Sequence, residues 1–199
     1  MPRIIAGTAR GVVLETPEGP GTRPTADFRK EAVFSSIQFE IPGSRFLDLF
    51  SGSGAVGLEA LSRGADEAVL VDSDPAACAC IRRNLAKTKL AGGTVLETDV
   101  FTAMDRLYKE GIQFDIIYAD PPYHRSYEGK ILAMIAKNAL AAPGDGTDGA
   151  LVVLESASDT DFEIPAGFVK IKEKKYRVTK FTILRRKEEI DDTSVSGQL

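Results

Sequence analysis

The chain reads as an α/β protein built on a parallel sheet covered by helices on both faces, with a short β-hairpin ahead of it. Two observations predict this. From residue 45 onwards short apolar runs alternate with longer helical patterns, the mark of parallel strands joined by helices. The first of those strands runs into the glycine-rich turn Ser51-Gly52-Ser53-Gly54-Ala55-Val56-Gly57, and acids recur at the ends of the strands that follow. At 199 residues, 43% hydrophobic and 27% charged, the chain has the size and composition of one globular domain with a substantial core.

Residues 3–6 and 12–15 are β-prone runs separated by Gly7 and Gly11, which suggests the hairpin; residues 1–26 are assigned to this N-terminal extension. Pro17-Glu18-Gly19-Pro20-Gly21 breaks the chain, and Arg23-Pro24-Thr25 leads into a helix over 27–39. Strands are expected over 45–50, 67–71, 94–98 and 114–119. Helices are expected to open at the glycine turn and run to 63, then over 75–87, to 108 after Phe101, and over 127–141. Pro75 suits the first turn of its helix. A buried strand follows over 150–155, and 168–174 and 177–184 read as two adjacent antiparallel strands with basic residues outward. A domain over 27–187 then gives way to an acidic tail, 188–199, expected to be disordered.

No apolar run approaches the roughly 20 residues that span a bilayer, and the N-terminus lacks a signal-peptide core, which points to a cytoplasmic protein without a membrane partner. Cys78 and Cys80 lie two apart in a helix and point in different directions, and His124 is the sole histidine, so no metal is expected. The net charge of −4 and pI near 5.2 argue against nucleic acid as a partner. Their distribution argues for it, since residues 170–187 hold nine basic side chains against one acid, Glu173.

Gly52-Ser53-Gly54-Ala55-Val56-Gly57 satisfies the G-x-G-x-x-G pattern, and Asp72 follows Gly52 at the spacing from which an acid reaches a nucleoside ribose. That much also fits an NAD-dependent oxidoreductase. Asp48, within the strand before the turn, favours a cationic amine or sulfonium and repels a pyrophosphate, which points to S-adenosylmethionine. Asp99 is placed to accept from an adenine amino group with Val100 beside the ring, although a solvated strand-end acid is the alternative. Asp120-Pro121-Pro122-Tyr123 leaves the fourth strand as a stiff loop, because both prolines have fixed φ and lack N–H groups. An acid, a bare proline carbonyl and an aromatic ring suit a planar base bearing an amino group; alone, the tetrapeptide also fits a simple strand terminator. Four strand ends thus carry Asp48, Asp72, Asp99 and Asp120, and in an open α/β sheet such positions share one crevice.

Asp48-Leu49-Phe50-Ser51-Gly52-Ser53-Gly54, running on to Arg63, together with Asp120-Pro121-Pro122-Tyr123, Arg3-Ile4-Ile5-Ala6-Gly7 and Arg23-Pro24-Thr25, resembles the bacterial 16S ribosomal RNA guanine-N2 methyltransferase family. The resemblance covers residues 3 to about 186. It implies a class I methyltransferase fold, a Rossmann-like sheet of seven strands with the last antiparallel, S-adenosylmethionine as donor, and an N-terminal hairpin that engages RNA. Candidate cofactor contacts are Asp48, Phe50, Ser51, Gly52, Ser53, Gly54, Asp72, Ser73, Asp99 and Val100. Candidate catalytic residues are Asp120, Pro121, Pro122 and Tyr123, and candidate RNA contacts are Arg3, Arg10, Arg23 and Lys30 with the basic strands at 170–187. The expected partner is ribosomal RNA or a 30S particle, met by a monomer. One departure stands out: in Asp27-Phe28-Arg29-Lys30-Glu31, Phe28 occupies the position where the family usually has Arg, and Arg29 lies about 100° further round a helix. The alternatives are an adenine-N6 methyltransferase on DNA or RNA, which would use the same tetrapeptide, and a catalytically silent RNA-binding module.

Overall fold

The computed structural model describes residues 1–17, 27–122, 126–143 and 149–187. Arg23, Tyr123 and the tail at 188–199 therefore lie outside the described residues. The elements run α1 (Asp27–Ser36), β1 (Arg45–Leu49), α2 (Ala55–Ser62), β2 (Glu67–Asp72), α3 (Pro75–Thr88), β3 (Gly93–Glu97), α4 (Val100–Lys109), β4 (Ile116–Ala119), α5 (Tyr127–Lys137), β5 (Leu151–Ala157), β6 (Phe168–Lys175) and β7 (Thr179–Arg186). One seven-stranded sheet results, in the order β3-β2-β1-β4-β5-β7-β6. Strands β1 to β5 are mutually parallel, and β7 pairs antiparallel with both β5 and β6.

Period-two alternation along the strands splits the core in two. Leu47, Leu49, Ile117, Ala119, Val152 and Leu154 face α4 and α5, while Phe46, Ile116, Tyr118, Leu151 and Val153 face Val33 and Phe34 of α1, Ile37 just after it, and Val56 and Ala60 of α2. Because both faces are covered, every residue of β4 and β5 is buried. Edge strand β6 is the opposite case, exposed from Lys170 to Lys175, and its lysines discourage pairing with another chain.

Three expectations need correction. The N-terminal segment forms no pair of strands; it makes one antiparallel bridge, Arg3 to Val13. The two runs do exchange backbone bonds, from the Ile4 N–H to the Val12 carbonyl (3.0 Å), the Gly11 N–H to the Ile4 carbonyl (2.8 Å) and the Leu14 N–H to the Pro2 carbonyl (2.8 Å), but the N–H groups of Ile5, Ala6 and Thr8 are claimed by α2. Glu59 accepts from the N–H groups of Ile5 (2.8 Å) and Ala6 (3.0 Å), and the Ser62 carbonyl accepts from the Thr8 N–H (2.8 Å). Gly7 permits this contact, since a Cβ there would lie 1.7 Å from the Ser62 carbonyl oxygen. Helix α5 stops at Lys137 rather than 141, because Asn138 and a left-handed Ala139 turn the chain so that Leu140 and Ala142 bond the backbone of Phe114. Helix α1 likewise stops at Ser36 rather than 39, where the chain enters a turn.

Lys30 lies inside the molecule, not on an RNA-facing surface. It is 2% exposed, pairs with the fully buried Glu59 at 3.0 Å and donates to the Arg3 carbonyl at 2.6 Å. Its ammonium ties α1, α2 and the N-terminal segment together. Lys30→Ala leaves that buried carboxylate short of a counter-charge and should cost about 3 kcal/mol of stability in a guanidinium titration.

Candidate active site

The glycine turn begins with strain. Phe50 has φ of 71°, a left-handed conformation uncommon for a bulky side chain, and its ring stacks on Tyr127 at 6.3 Å between centroids. Tyr127 in turn meets Phe101 edge-on at 5.5 Å, so three rings wall one side of the turn. Ser51 closes the end of β1 by donating its hydroxyl to the Asp48 carbonyl (2.8 Å) and its N–H to Val71 (2.9 Å). The carbonyl of Ser53 accepts from the Asn84 side chain at 2.9 Å. Gly54, at φ of 78°, caps α2 without a side chain.

Asp48 supplies that missing cap from the strand. It is 1% exposed, and its Oδ2 accepts from the Gly57 N–H at 2.9 Å. Burial pushes its carboxyl up to about 7, with the neighbouring Asp72 adding to the shift and the Gly57 N–H opposing it. Asp72, half-buried at the end of β2, accepts from the N–H groups of Gly52 (2.8 Å) and Asp74 (2.9 Å). Ser73 is exposed beside it. Asp99 is exposed and caps α4 through Oδ1, which takes the N–H groups of Phe101 and Thr102; the Thr102 side chain first, and then those N–H groups, hold its carboxyl below the usual range. Val100 is buried and packs mainly into the core.

Asp120 follows β4, with Pro121 buried and Pro122 exposed. Burial lifts its carboxyl to about 8; nearby Glu155 adds to the rise and Arg29 opposes it. Glu155, 2% exposed near the end of β5, accepts from the Tyr118 hydroxyl at 2.5 Å and from Arg29 at 3.3 Å. Arg29 also reaches the Thr179 hydroxyl at 3.5 Å. The cation displaced from position 28 thus serves the acid cluster, while Phe28 is exposed and meets Tyr176 edge-on at 5.6 Å. Glu155 and Tyr118 escaped notice in the sequence. The signal was present: Glu155 is a charged residue near the carboxyl end of a buried strand, as Asp120 is.

Among the proposed RNA contacts, Arg3 and Arg10 are exposed on the N-terminal segment. Of the basic strands, Lys170, Lys172, Lys174 and Lys175 are exposed along β6, with Arg177 in the turn after it. Lys180 in β7 is instead buried near Glu173 and Asp161, Arg185 pairs with Glu40, and Arg186 donates to the Ala141 carbonyl.

Residues 2–185 match the family described as Conserved hypothetical protein 95. The chain belongs to that family. It is 35% identical over 173 residues to ribosomal RNA small subunit methyltransferase D of Escherichia coli, covering 86% of this chain and 83% of that protein. The protein of the same name from Haemophilus influenzae is 32% identical, over 86% and 87% of the two chains. The solved structure of yhhF from Escherichia coli superposes with a TM-score of 0.78 at 31% identity, over 94% of this chain and 98% of that one. This member of the Conserved hypothetical protein 95 family has the class I methyltransferase fold.

The residues present fit S-adenosylmethionine, the cofactor expected from the sequence. Gly52 has φ of 54°, and nothing lies within 4 Å of where its Cβ would stand, so the outer side of the turn is open to a ligand. Asp72 offers a half-exposed carboxylate at the end of β2, and Asp99 keeps Oδ2 outside its cap bonds. Asp48 sits one layer beneath, its negative charge acting through the turn that it holds.

The acid cluster yields a signed prediction. Carbon-13 NMR of the full chain should show Asp120 titrating near 8. Glu155→Gln removes a neighbouring negative charge and should lower that midpoint, whereas Arg29→Met removes a positive one and should raise it.

Proposed function

We propose that this protein transfers the methyl group of S-adenosylmethionine to the exocyclic N2 of a guanine in small-subunit ribosomal RNA. One observation carries the reading: Asp120 and the carbonyl of Pro121, acceptors on a stiff loop at the end of β4, stand beside the open glycine turn that ends β1, the adjacent strand. The choice of ribosomal RNA is supported by the relatives from Escherichia coli and Haemophilus influenzae, and guanine N2 by the resemblance of the N-terminal segments.

Bound at the turn, the cofactor supplies a methyl group made electrophilic by its sulfonium. The chain's own residues prepare the acceptor. An exocyclic amine is a poor nucleophile because its lone pair is conjugated with the ring. Asp120 and the Pro121 carbonyl each accept one amine hydrogen, which turns the lone pair out of the ring plane and towards the methyl. The methylated nitrogen then sheds one proton, and Asp120, desolvated and beside Glu155, is suited to take it. Tyr123, outside the described residues, is assigned to stack on a base swung out of the RNA. Catalysis is therefore positional and electrostatic, with no covalent nucleophile.

Arg3, Arg10 and Arg23 with the exposed β6 lysines are assigned to RNA phosphates. Lys30 leaves that set because it is buried. We place the reaction in the cytoplasm, performed by a monomer on free ribosomal RNA or on a 30S particle.

Methyl transfer to ribosomal RNA and to 30S particles, with the product nucleoside identified by mass spectrometry, tests the reading; N2-methylguanosine is expected, and N6-methyladenosine would overturn it. Asp120→Ala should keep cofactor affinity and lose about 10²–10³-fold in kcat. Neutralising Arg3 or Lys174 should flatten the salt dependence of RNA binding by about one unit of slope, and an unchanged slope removes that residue from the interface.

A further inference from the structure

At the carboxyl edge of the sheet lies a cavity of about 340 Å³ lined by Ser126, Glu128, Gly129, Thr160, Asp161 and Phe162. Its walls come from the segments that follow β4 and β5, at the carboxyl edge of the sheet where Asp120 stands. Ser126 and Glu128 open α5, and Thr160 to Phe162 follow β5. A purine ring occupies well under half of this volume on the scale of ordinary ligand pockets, which run from about 300 Å³ upward.

Glu128 is the unusual member. It is 3% exposed, yet its Oε1 has no hydrogen-bond partner among the described residues. A buried carboxylate oxygen without a donor is costly, and such groups call for a functional account. Its neighbours in the cavity do not supply one. Asp161 is an acid, fully exposed, that leans on Lys180 at 3.8 Å, and the hydroxyls of Ser126 and Thr160 do not donate to the Glu128 Oε1. Phe162, half-buried, adds an aromatic surface with the Lys180 ammonium 5.7 Å from its ring centroid. The cavity therefore offers a hydrogen-bond acceptor beside an aromatic wall and awaits a planar group that donates.

We propose that this cavity receives the acceptor base and that Glu128 reads its N1–H, selecting guanine over adenine. The inference rests on the reaction proposed above and settles what the Asp-Pro-Pro-Tyr loop leaves open. When Asp120 and the Pro121 carbonyl hold the two amine hydrogens, the ring position next to the amine-bearing carbon turns towards α5. In guanine that position is N1–H, a donor that Glu128 accepts. In adenine it is a bare nitrogen whose lone pair meets the carboxylate and leaves it without a donor. Sites that hydrogen-bond a particular group reject analogues lacking it far more strongly than sites that only fit its shape.

The test uses the full chain and RNA carrying 2-aminopurine in place of the methylated guanine, once that nucleotide has been located by mass spectrometry. 2-Aminopurine keeps the amine on the same carbon and lacks the N1 hydrogen. Wild-type protein should prefer guanine by at least about ten-fold in kcat/KM. Glu128→Gln should narrow that preference about ten-fold, because an amide can turn its NH₂ towards the bare nitrogen. Glu128→Ala should lose transfer to guanine without gaining 2-aminopurine. Cofactor affinity, measured by calorimetry, should be unchanged in both variants and shows that they are folded. Equal use of guanine and 2-aminopurine by the wild type overturns the proposal without any variant, as does an unaltered preference in Glu128→Gln. Transfer by the wild type to adenine, or none to ribosomal RNA, refutes instead the reaction on which the inference rests.

Discussion

A single hydrogen bond, from the Gly57 N–H to the buried carboxylate of Asp48, holds the geometry on which the rest of the site depends. It joins the middle of the sheet to the first turn of a helix that is buried along its whole length, and it does so where that helix has no side-chain cap. The second anchor, Asp72 to the Gly52 N–H, pins the other end of the turn to the neighbouring strand. Between them the chain has room for a left-handed Phe50 and an open Gly52, both costly unless their surroundings over-determine them. The acid that reads in the sequence as an electrostatic partner of the cofactor is thus first a mechanical one. Its charge still faces the turn, but through the backbone that it fixes.

The second centre is a set of groups that burial has made interdependent. Asp120, Glu155, Tyr118 and Arg29 come from three elements and the loop after β4, and the two carboxylates compete for one guanidinium in a region from which water is largely excluded. Desolvation raises both acids, and the mutual repulsion leaves Asp120 able to exist in either protonation state near neutrality. A loop with fixed prolines confers direction on this acid, while the cluster beneath it tunes its basicity. Position and proton affinity are therefore supplied by different parts of the fold.

The N-terminal segment is docked by buried charge. Glu59, fully buried, takes two backbone donors from that segment, the Lys30 ammonium and the Arg63 guanidinium. Such a constellation is demanding to assemble and is tolerated only when every lone pair is used, as it is here. Its consequence is a rigidly placed segment that carries Arg3 and Arg10 outward on the surface. Basic charge on this acidic protein is accordingly local, concentrated there and along the β6 edge, where Glu40, Asp161 and Glu173 draw off only part of it.

Period and punctuation in the sequence were enough for the architecture, because parallel strands buried on both faces, a glycine turn and Pro75 in the first turn of its helix are local signals. Acids at successive ends of parallel strands also fall along one edge of the sheet, as Asp72, Asp99 and Asp120 do. Family resemblance added the chemistry. What only the tertiary structure decided is which charges are inside: Lys30 reads as a surface cation and is buried, Arg29 reads as a misplaced one and serves Glu155, and the first N-terminal run reads as a strand yet gives the Ile5 and Ala6 N–H groups to Glu59. The physical reason is common to all three. A buried charge is placed by its partner, and partners separated by 29 residues, as Lys30 and Glu59 are, or by 126, as Arg29 and Glu155 are, leave no periodic trace along the chain.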